Sequence, residues 1–495
     1  MAQSDEPSSG DTDGHDHDHA HAHAHDHAEH GHEGPGYATP QAAIEEGDRE
    51  ELAYVMGLYV GTDVDASDFV AVVDLDPDSE TYCEIVDRVE MPEKGDELHH
   101  FGWNACSSSC HVDGLERRHL LVPGQRSSRI HVIDAADRRD PELETVIEPE
   151  KVFEHDLSAP HTVHCVPEGK ILISMLGDAD GELPGGFLEL NHDFEVEGRW
   201  EPPGEIEMNY DYWYQPRQNV MVSSEWAAPK TYYPGFDLED VEEGKYGRRL
   251  HVWDWEEGTV EQTIDLGEEG LIPLEVRFLH TPESTHGFVG AALSSNVFHF
   301  WRDEESAAPR AAETASGDEP RASGEYRAEK VIDFESREHE DWDMPVPALP
   351  TDILISMDDR YLFGSNWLHG EVWMYDISDP ANPRRADSLS VGGHFGEIQE
   401  VQGRDLVAGP QMLQLSLDGE RLYWTTSLFS SWDNQFYPEE GERGSVMLKA
   451  DVDPRNGTMD LDEEFLVDFG DLPAGPARAH EIRWPDGDCT SDVWQ

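Results

Sequence analysis

Short apolar runs separated by turn residues recur along the chain from about residue 52 onward. Each run is a few residues long, is rich in Val, Ile, Leu and aromatic side chains, and ends at Gly, Pro, Asp or Asn, as in "FVAVVDLD", "RIHVIDA" and "KILISMLGD". Runs of this kind are typical of β-strands punctuated by turns. No convincing stretch has the helical period that a long helix requires. The pattern therefore predicts an all-β protein.

Two stretches show how the strands are organised. "DILISMDDRYLFGSNWLHGEVWMYDISDPANP" predicts a strand, an Asp-Asp turn, a strand, a His-Gly turn, a strand and a Pro-rich exit, and "MLQLSLDGERLYWTTS" repeats its first half. A four-stranded β-propeller blade takes about 40 to 50 residues. Residues 51–495 at that period predict a seven-bladed β-propeller. Six or eight blades, or a pair of β-sandwiches, are the alternatives.

Two segments of the chain differ from this pattern. Residues 1–50 are predicted to be a disordered His/Asp-rich tail, in which "HDHDHAHAHAHDHAEHGH" carries nine histidines between His15 and His32. Such a density of imidazoles suits copper and borderline divalent ions. We expect the tail to bind metal, either only when metal is offered or as a device for buffering or delivery. Residues 303–328 are polar and rich in Ala, Ser and Pro, which predicts a disordered insertion within the propeller.

The charge of the chain is extreme, with 34 Lys and Arg against 107 Asp and Glu and a net charge of −73. This balance excludes non-specific binding to nucleic acid or anionic membranes, because both need cationic side chains. Concentrated salt screens such repulsion, since the Debye length falls to about 3 Å at 1 M. We therefore expect a cytoplasmic protein of a salt-accumulating halophile, with an ordinary acidic protein as the alternative. The sequence shows no signal-peptide pattern and no apolar run of about 20 residues that would span a membrane.

Histidines outside the tail fall at or just past predicted strands. The first two are adjacent, in "HHFGWNACSSSC", and the candidates are His99, His100, His161, His164, His280, His369 and His480. Inner strands of a propeller line one channel, so histidines from different blades can meet there and bind copper, zinc or iron. Neighbouring strand residues face opposite sides, so His99 and His100 can share a metal only on a loop or strand end. For each histidine the alternative is a hydrogen-bonded core or loop residue.

The five cysteines are sparse and odd in number, which does not predict a disulfide framework. Cys106 and Cys110 have the spacing C-x3-C, which is neither a thioredoxin motif nor a zinc knuckle. A reactive thiol at Cys106 would need a nearby cation or metal to lower its pKa. Cys106 as a small buried apolar residue, and a disulfide from Cys106 to Cys110, remain alternatives. A reducing cytoplasm disfavours the disulfide.

Several longer motifs together resemble one known family. "HHFGWNACSS", "NVMVSSEWAAP", "SNWLHGEVWMYDISDPANPR" and "AHEIRWPDGDCTSDVW" are similar, in order, to the selenium-binding protein family, which includes methanethiol oxidases. The resemblance runs from about residue 50 to the end of the chain and implies a seven-bladed propeller. It also implies the oxidation of a small thiol, methanethiol, by O2 and water to formaldehyde, hydrogen sulfide and hydrogen peroxide.

The resemblance also implies a ligand set for copper. Matched by motif, the ligands are His99, His100, one of His161 or His164, and His480, with His280 and His369 as further candidates for ligands or acid–base groups. Cys106 matches the cysteine to which selenium is attached in animal members, although Cys110 departs from their C-x-x-C spacing.

The residues suggest two further roles and leave two alternatives open. Glu481 is a candidate to orient a ligand ring, and His369 to act as the base that activates water. One alternative is a binding or carrier protein for selenium or a soft metal, with Cys106 as the attachment point. The other is a scaffold for protein partners with an inactive site.

Overall fold

The structure is a computed structural model that describes residues 34–303, 324–340, 342 and 344–495. The tail histidines His15–His32 and residues 304–323 of the insertion lie outside the described residues. Seven antiparallel sheets of four or five strands follow one another along the chain, which confirms the predicted seven-bladed β-propeller, and β24 and β25 form a separate two-stranded sheet. Within these ranges no helix has the length and apolar character needed to cross a bilayer.

The elements of the seven blades follow in chain order. The strands are β1 (Leu52–Leu58), β2 (Phe69–Asp74), β3 (Ile85–Glu90), β4 (Gly102–Trp103), β5 (His119–Pro123), β6 (Ile130–Asp134), β7 (Glu142–Ile147), β8 (Ser158–Val166), β9 (Lys170–Gly177), β10 (Gly186–Leu190), β11 (Val196–Arg199), β12 (Tyr212–Gln215), β13 (Val220–Ser224), β14 (Arg249–Asp254), β15 (Thr259–Asp265), β16 (Pro273–Phe278), β17 (Gly287–Ala291), β18 (Asn296–Asp303), β19 (Glu325–Asp333), β20 (Pro350–Ile355), β21 (Tyr361–Asn366), β22 (Glu371–Asp376), β23 (Arg384–Ser390), β24 (Glu400–Val401), β25 (Arg404–Asp405), β26 (Leu413–Leu415), β27 (Arg421–Trp424), β28 (Val446–Asp453), β29 (Thr458–Leu461), β30 (Val467–Asp468) and β31 (Arg478–Arg483). The helices are α1 (Pro40–Glu46), α2 (Pro149–Phe153), α3 (Pro229–Tyr232), α4 (Leu238–Glu242), α5 (Ser430–Phe436) and α6 (Pro438–Arg443).

The last strand closes the ring. β31 pairs with β1 and takes the inner position of the sheet that continues to β2 and β3, with Tyr54 opposite Arg483. The other inner strands are β4, β8, β12, β16, β20 and β26, and neighbouring inner strands contact each other, as β4 with β8 and β26 with β31. Pairing the two ends of the chain leaves no open sheet edge at the junction.

Burial falls from the axis to the rim. All nine residues of β8 and all six of β20 are buried, whereas none of the seven residues of the outermost strand β15 is buried. Inner strands are covered on both faces by neighbouring blades, so their polar as well as their apolar side chains are buried, while rim strands face water. Large aromatic side chains such as Trp253, Trp373 and Trp424 are fully buried in these cores.

The structure corrects two predicted domain boundaries. Residues 34–50, assigned to the tail, pack on the propeller: Thr39 caps α1, and the buried carboxylate of Glu50 accepts hydrogen bonds from Arg421 and Tyr423. Asp303 ends β18, and residues 325–328, assigned to the insertion, begin β19. The error arose because polar residues such as Glu50 can be buried once a distant strand supplies their partners.

Candidate metal centre

Four histidines meet where the inner strands of three successive blades converge. His99 and His100 directly precede β4, His161 lies on β8, and His480 lies on β31. Ring nitrogens of His99, His100 and His161 lie within 4.8 Å of one another. The ring of His480 stacks on that of His99, with centroids 4.1 Å apart. None of the four is more than 4 % exposed.

The backbone explains how two adjacent histidines reach the same point. Neither His99 nor His100 lies in a strand, and His100 has a φ of +48°, in the left-handed region that few side chains adopt. The reversal brings the two rings together with centroids 4.8 Å apart instead of on opposite faces. Backbone strain of this kind is characteristic of functional sites.

The outer nitrogens of two rings are held by hydrogen bonds. His480 Nδ1 lies 2.8 Å from the carbonyl oxygen of Ser427, and His161 Nδ1 lies 2.9 Å from Thr162 Oγ1. Nε2 of both rings, and Nδ1 of His99, are buried without a hydrogen-bond partner among the described residues. Histidine ligands of metals show the same arrangement, in which one nitrogen is oriented by a neighbour and the other is left for the ion.

Burial keeps these imidazoles neutral. Desolvation, reinforced by the neighbouring histidines, holds the pKa of His99 and His100 well below the usual value, and burial does the same for His161. Burial lowers the pKa of His480 to about 4. A neutral imidazole offers a nitrogen lone pair, so the donor chemistry and the unpaired nitrogens both fit a transition metal ion.

Buried carboxyl groups lie beside the histidines. Arg277 Nη1 donates to Asp211 Oδ2 at 2.8 Å, Arg277 Nη2 donates to Glu275 Oε2 at 2.7 Å, and Asp352 Oδ1 lies 3.8 Å from Nη2. Three carboxyl groups therefore share one guanidinium. Glu275 Oε1 lies 3.6 Å from His100 Nε2 and has no hydrogen-bond partner in the described part of the chain. Burial raises the pKa of Glu275 well above its ordinary value. A cation held by the histidines would oppose this shift and favour the ionised form of Glu275.

Glu481 flanks His100. Its Oε2 accepts the backbone N–H of Phe101, and its Oε1 lies 2.7 Å from Arg483 Nη2 and 3.9 Å from His100 Nδ1. Burial raises the pKa of Glu481 to about 7, although Arg483 opposes the shift. The expected partner ring, that of the adjacent His480, is instead oriented by the carbonyl group of Ser427.

A small apolar cavity adjoins the histidines. His99 and Tyr210 form its wall on the histidine side, and the ring of Tyr210 lies 4.0 Å from that of His161. The opposite walls are aromatic and aliphatic and include Trp226 and Phe429. The cavity has a volume of about 20 Å³.

The model of one protein family, described as 56kDa selenium binding protein (SBP56), matches residues 31–495. The chain belongs to the 56 kDa selenium-binding protein family. Relatives in this family carry two kinds of name. A methanethiol oxidase of Xenopus laevis is 47% identical over 484 residues, covering 93% of this chain and 98% of the relative. Selenium-binding protein 2 of Arabidopsis thaliana is 46% identical, covering 93% and 95%.

A solved structure agrees with the fold. A hypothetical selenium-binding protein from Sulfolobus tokodaii superposes with a TM-score of 0.84 at 41% identity, covering 93% of this chain and 98% of the other. The periplasmic gluconolactonase of Pseudomonas aeruginosa, at 10% identity and a TM-score of 0.51, shares the fold alone.

In this member of the selenium-binding protein family, three other predicted histidines lie away from the cluster. The ring of His164 packs edge-on against Tyr212 and Trp213, so His161 is the residue of that pair that joins the cluster. His280 Nε2 lies 2.9 Å from the carbonyl oxygen of Ile355, and His369 Nε2 lies 3.0 Å from that of Val346. Within the described ranges, the rings of His280 and His369 do not contact the four histidines. Each of the two follows the end of a strand and binds a nearby backbone carbonyl group instead.

Cys106 is not a free thiol. It forms a disulfide with Cys165, whose Cα lies 6.1 Å away, within the usual span of a disulfide. The predicted alternatives of a reactive Cys106 thiol and of a bridge to Cys110 are therefore wrong for this structure, and all five cysteines lie in its described part, with Cys110 unpaired. The pairing escaped sequence analysis because 59 residues separate the partners. The bridge joins the segment after His100 to the strand that carries His161.

The sequence analysis also missed the polar groups around the cluster. Glu275 and Arg277 lie two residues apart on the buried inner strand β16, within "PLEVRF", and Asp211 directly precedes β12. Two charged residues inside an otherwise apolar strand indicate a buried polar cluster, since charges are buried only when they are paired. The aromatic walls at Tyr210 and Phe429 carried no comparable signal, because aromatic residues are common in any propeller core.

Proposed function

We propose that this chain is a copper-dependent methanethiol oxidase, which converts methanethiol, O2 and water to formaldehyde, hydrogen sulfide and hydrogen peroxide. The observation that carries the proposal is the cluster of four buried, neutral imidazoles, three of which have a ring nitrogen without a hydrogen-bond partner among the described residues. The names of the animal relatives support a thiol as substrate. The reaction balances with one molecule of each reactant and product, and methanethiol gives two electrons to O2.

The donor set fits copper. His99, His100, His161 and His480 would hold the ion, since imidazole nitrogen suits copper and leaves it able to change oxidation state. When bound, copper supplies an acceptor for a soft thiolate sulfur and one-electron transfer to O2. The same nitrogens also suit zinc or iron, so the metal must be identified directly.

The chain's own groups would handle the protons. Glu275 Oε1 lies 3.6 Å from His100 Nε2 and has no hydrogen-bond partner within the described residues. We assign to it the exchange of protons with the reacting thiol and with water. His369, the base expected from sequence, hydrogen-bonds a backbone carbonyl group instead. Thr162 and Ser427 keep the outer nitrogens of two ligands protonated and their rings fixed.

Metal content and oxygen uptake test the proposal. A variant lacking residues 1–33 removes the tail histidines but keeps the packed residues 34–50. It should contain about one copper per chain and show methanethiol-dependent O2 uptake, and a His99→Ala, His100→Ala double variant should lose both. His192→Ala is the matched control, since its ring is 59% exposed and lies outside the site. Absence of copper after reconstitution, with the fold intact by circular dichroism, would refute the proposal.

A second candidate function is selenium or soft-metal carriage at Cys106, which the names of the plant relatives favour. Covalent attachment of selenium would require reduction of the bond to Cys165. A Cys106→Ser variant separates the two functions, because it abolishes attachment but leaves the histidine ligands in place. Loss of selenium binding with full thiol oxidation would assign the two activities to different residues.

We also propose that the protein works in the cytoplasm of a salt-accumulating cell. The net charge of −73 supports this, because dilute buffer leaves the repulsion between acidic side chains unscreened. The midpoint of thermal unfolding should rise from dilute buffer to molar KCl. A midpoint independent of salt would contradict the proposal.

A further inference from the structure

The cavity beside His99 has two unlike sides. His99 and Tyr210 border the histidine cluster, and the far side is formed by apolar side chains that include Leu274, Ala292 and Leu349. Leu274 lies on the inner strand β16, and Ala292 directly follows β17. A ligand in this space would therefore have one end at a ring of the metal centre and the rest against hydrocarbon.

We propose that this cavity binds the alkyl group of the thiol substrate, with the sulfur atom toward His99. The inference rests on the proposed function for the thiol chemistry and adds the residues that select the substrate. An apolar wall favours an alkyl group over water, while it offers little to a charged or polar substituent. Thiols bearing a carboxylate or an ammonium group should therefore be poor substrates.

The aromatic walls limit the size of the alkyl group. The ring of Trp226 stacks on that of Tyr232 with centroids 3.8 Å apart, and the ring of Phe429 stacks on that of Tyr233 at 5.8 Å. The guanidinium group of Arg126 lies 4.7 Å from the centroid of Phe429. Because each ring packs against these neighbours, it cannot swing away at low cost. The space admits a group of about the size of a methyl group, and a longer chain would collide with the walls.

Substitutions at aliphatic positions test the selection without touching a proposed ligand. Leu274→Ala enlarges the cavity, and we expect the ratio of kcat/KM for 1-propanethiol to that for methanethiol to rise about tenfold or more. Leu250→Ala is the matched control, because Leu250 is also buried but lies on β14 and does not line the cavity. A ratio unchanged in Leu274→Ala, or raised equally in Leu250→Ala, would overturn the proposal.

A binding measurement tests the cavity without catalysis. Crystals of the full chain under xenon pressure should show xenon beside Trp226, because an apolar cavity of this kind takes up the gas. Ala292→Leu should abolish the peak, and Ala292→Val is the milder variant should the larger one not fold. Absence of xenon from the wild-type cavity would overturn the proposal even in a protein that oxidises methanethiol.

Failure of the proposed function gives a different result. A chain that oxidises no thiol fails as an oxidase, and the cavity is then judged by soaking crystals with methanethiol. A sulfur peak between His99 and the apolar walls would support a thiol pocket in a binding protein. Methanethiol absent from the cavity would refute the pocket.

Discussion

Breaking the Cys106–Cys165 disulfide should weaken the fold by an amount that follows from its place in the chain. The bridge closes a loop with a sequence separation of 59 residues, running from the segment after His100 to the strand that carries His161. Because a cross-link removes conformations from the unfolded chain, a loop of this length stabilises the folded state by about 4 kcal/mol. A Cys165→Ser variant should therefore lose about 4 kcal/mol of unfolding free energy.

Urea unfolding in high salt, followed by tryptophan fluorescence, measures that loss. Cys83→Ser is the matched control, because Cys83 is unpaired and only partly buried. Wild type in reductant should match Cys165→Ser, and the denatured oxidised chain should titrate as three free thiols, those of Cys83, Cys110 and Cys489. Five free thiols, or a Cys165→Ser variant as stable as the control, would refute the reasoning.

Three further predictions concern other parts of the molecule. Burial and the nearby carboxylate of Asp433 raise the pKa of Glu440 to about 8, from an ordinary value near 4.5 in the unfolded chain. Between pH 4.5 and pH 8 the folded chain therefore keeps a proton that the unfolded chain loses. The free energy of unfolding should fall as the pH rises through this window. Glu440→Gln should flatten that slope in urea titrations, and parallel curves for the two proteins would contradict the assignment. Arg277→Met leaves three buried carboxyl groups without their cation and should lower the free energy of unfolding by about 3 to 5 kcal/mol. Arg249→Met, at the surface, should lower it little. Similar losses in the two variants would be inconsistent with a buried network. Removing residues 1–33 should lower the copper bound per chain but leave one ion in mass-spectrometric analysis, and an unchanged ratio would show that the tail histidines bind none.

The strands could be predicted from the sequence because each propeller blade is built from strands that follow one another along the chain. Runs such as "FVAVVDLD" and "DILISMDDRYLF" have the length of a strand and end in turn residues, and antiparallel neighbours in a blade are also neighbours in the chain. The closure of the ring could not be predicted in this way. The pairing of β1 with β31 joins opposite ends of the chain and depends on the accumulated geometry of all seven blades.

For the candidate site, too, some features follow from the sequence and others only from the tertiary structure. The sequence by itself determined an all-β propeller, the family motifs and a pool of histidines near strand ends, because residue type and spacing are local properties. Only the tertiary structure decided that His161 and not His164 joins His99, His100 and His480, that Cys106 pairs with Cys165, and that Glu275 lies beside the cluster. These choices depend on which side chains from different blades face each other across the axis. No spacing along the chain encodes such distances, since they follow from how the sheets twist and pack.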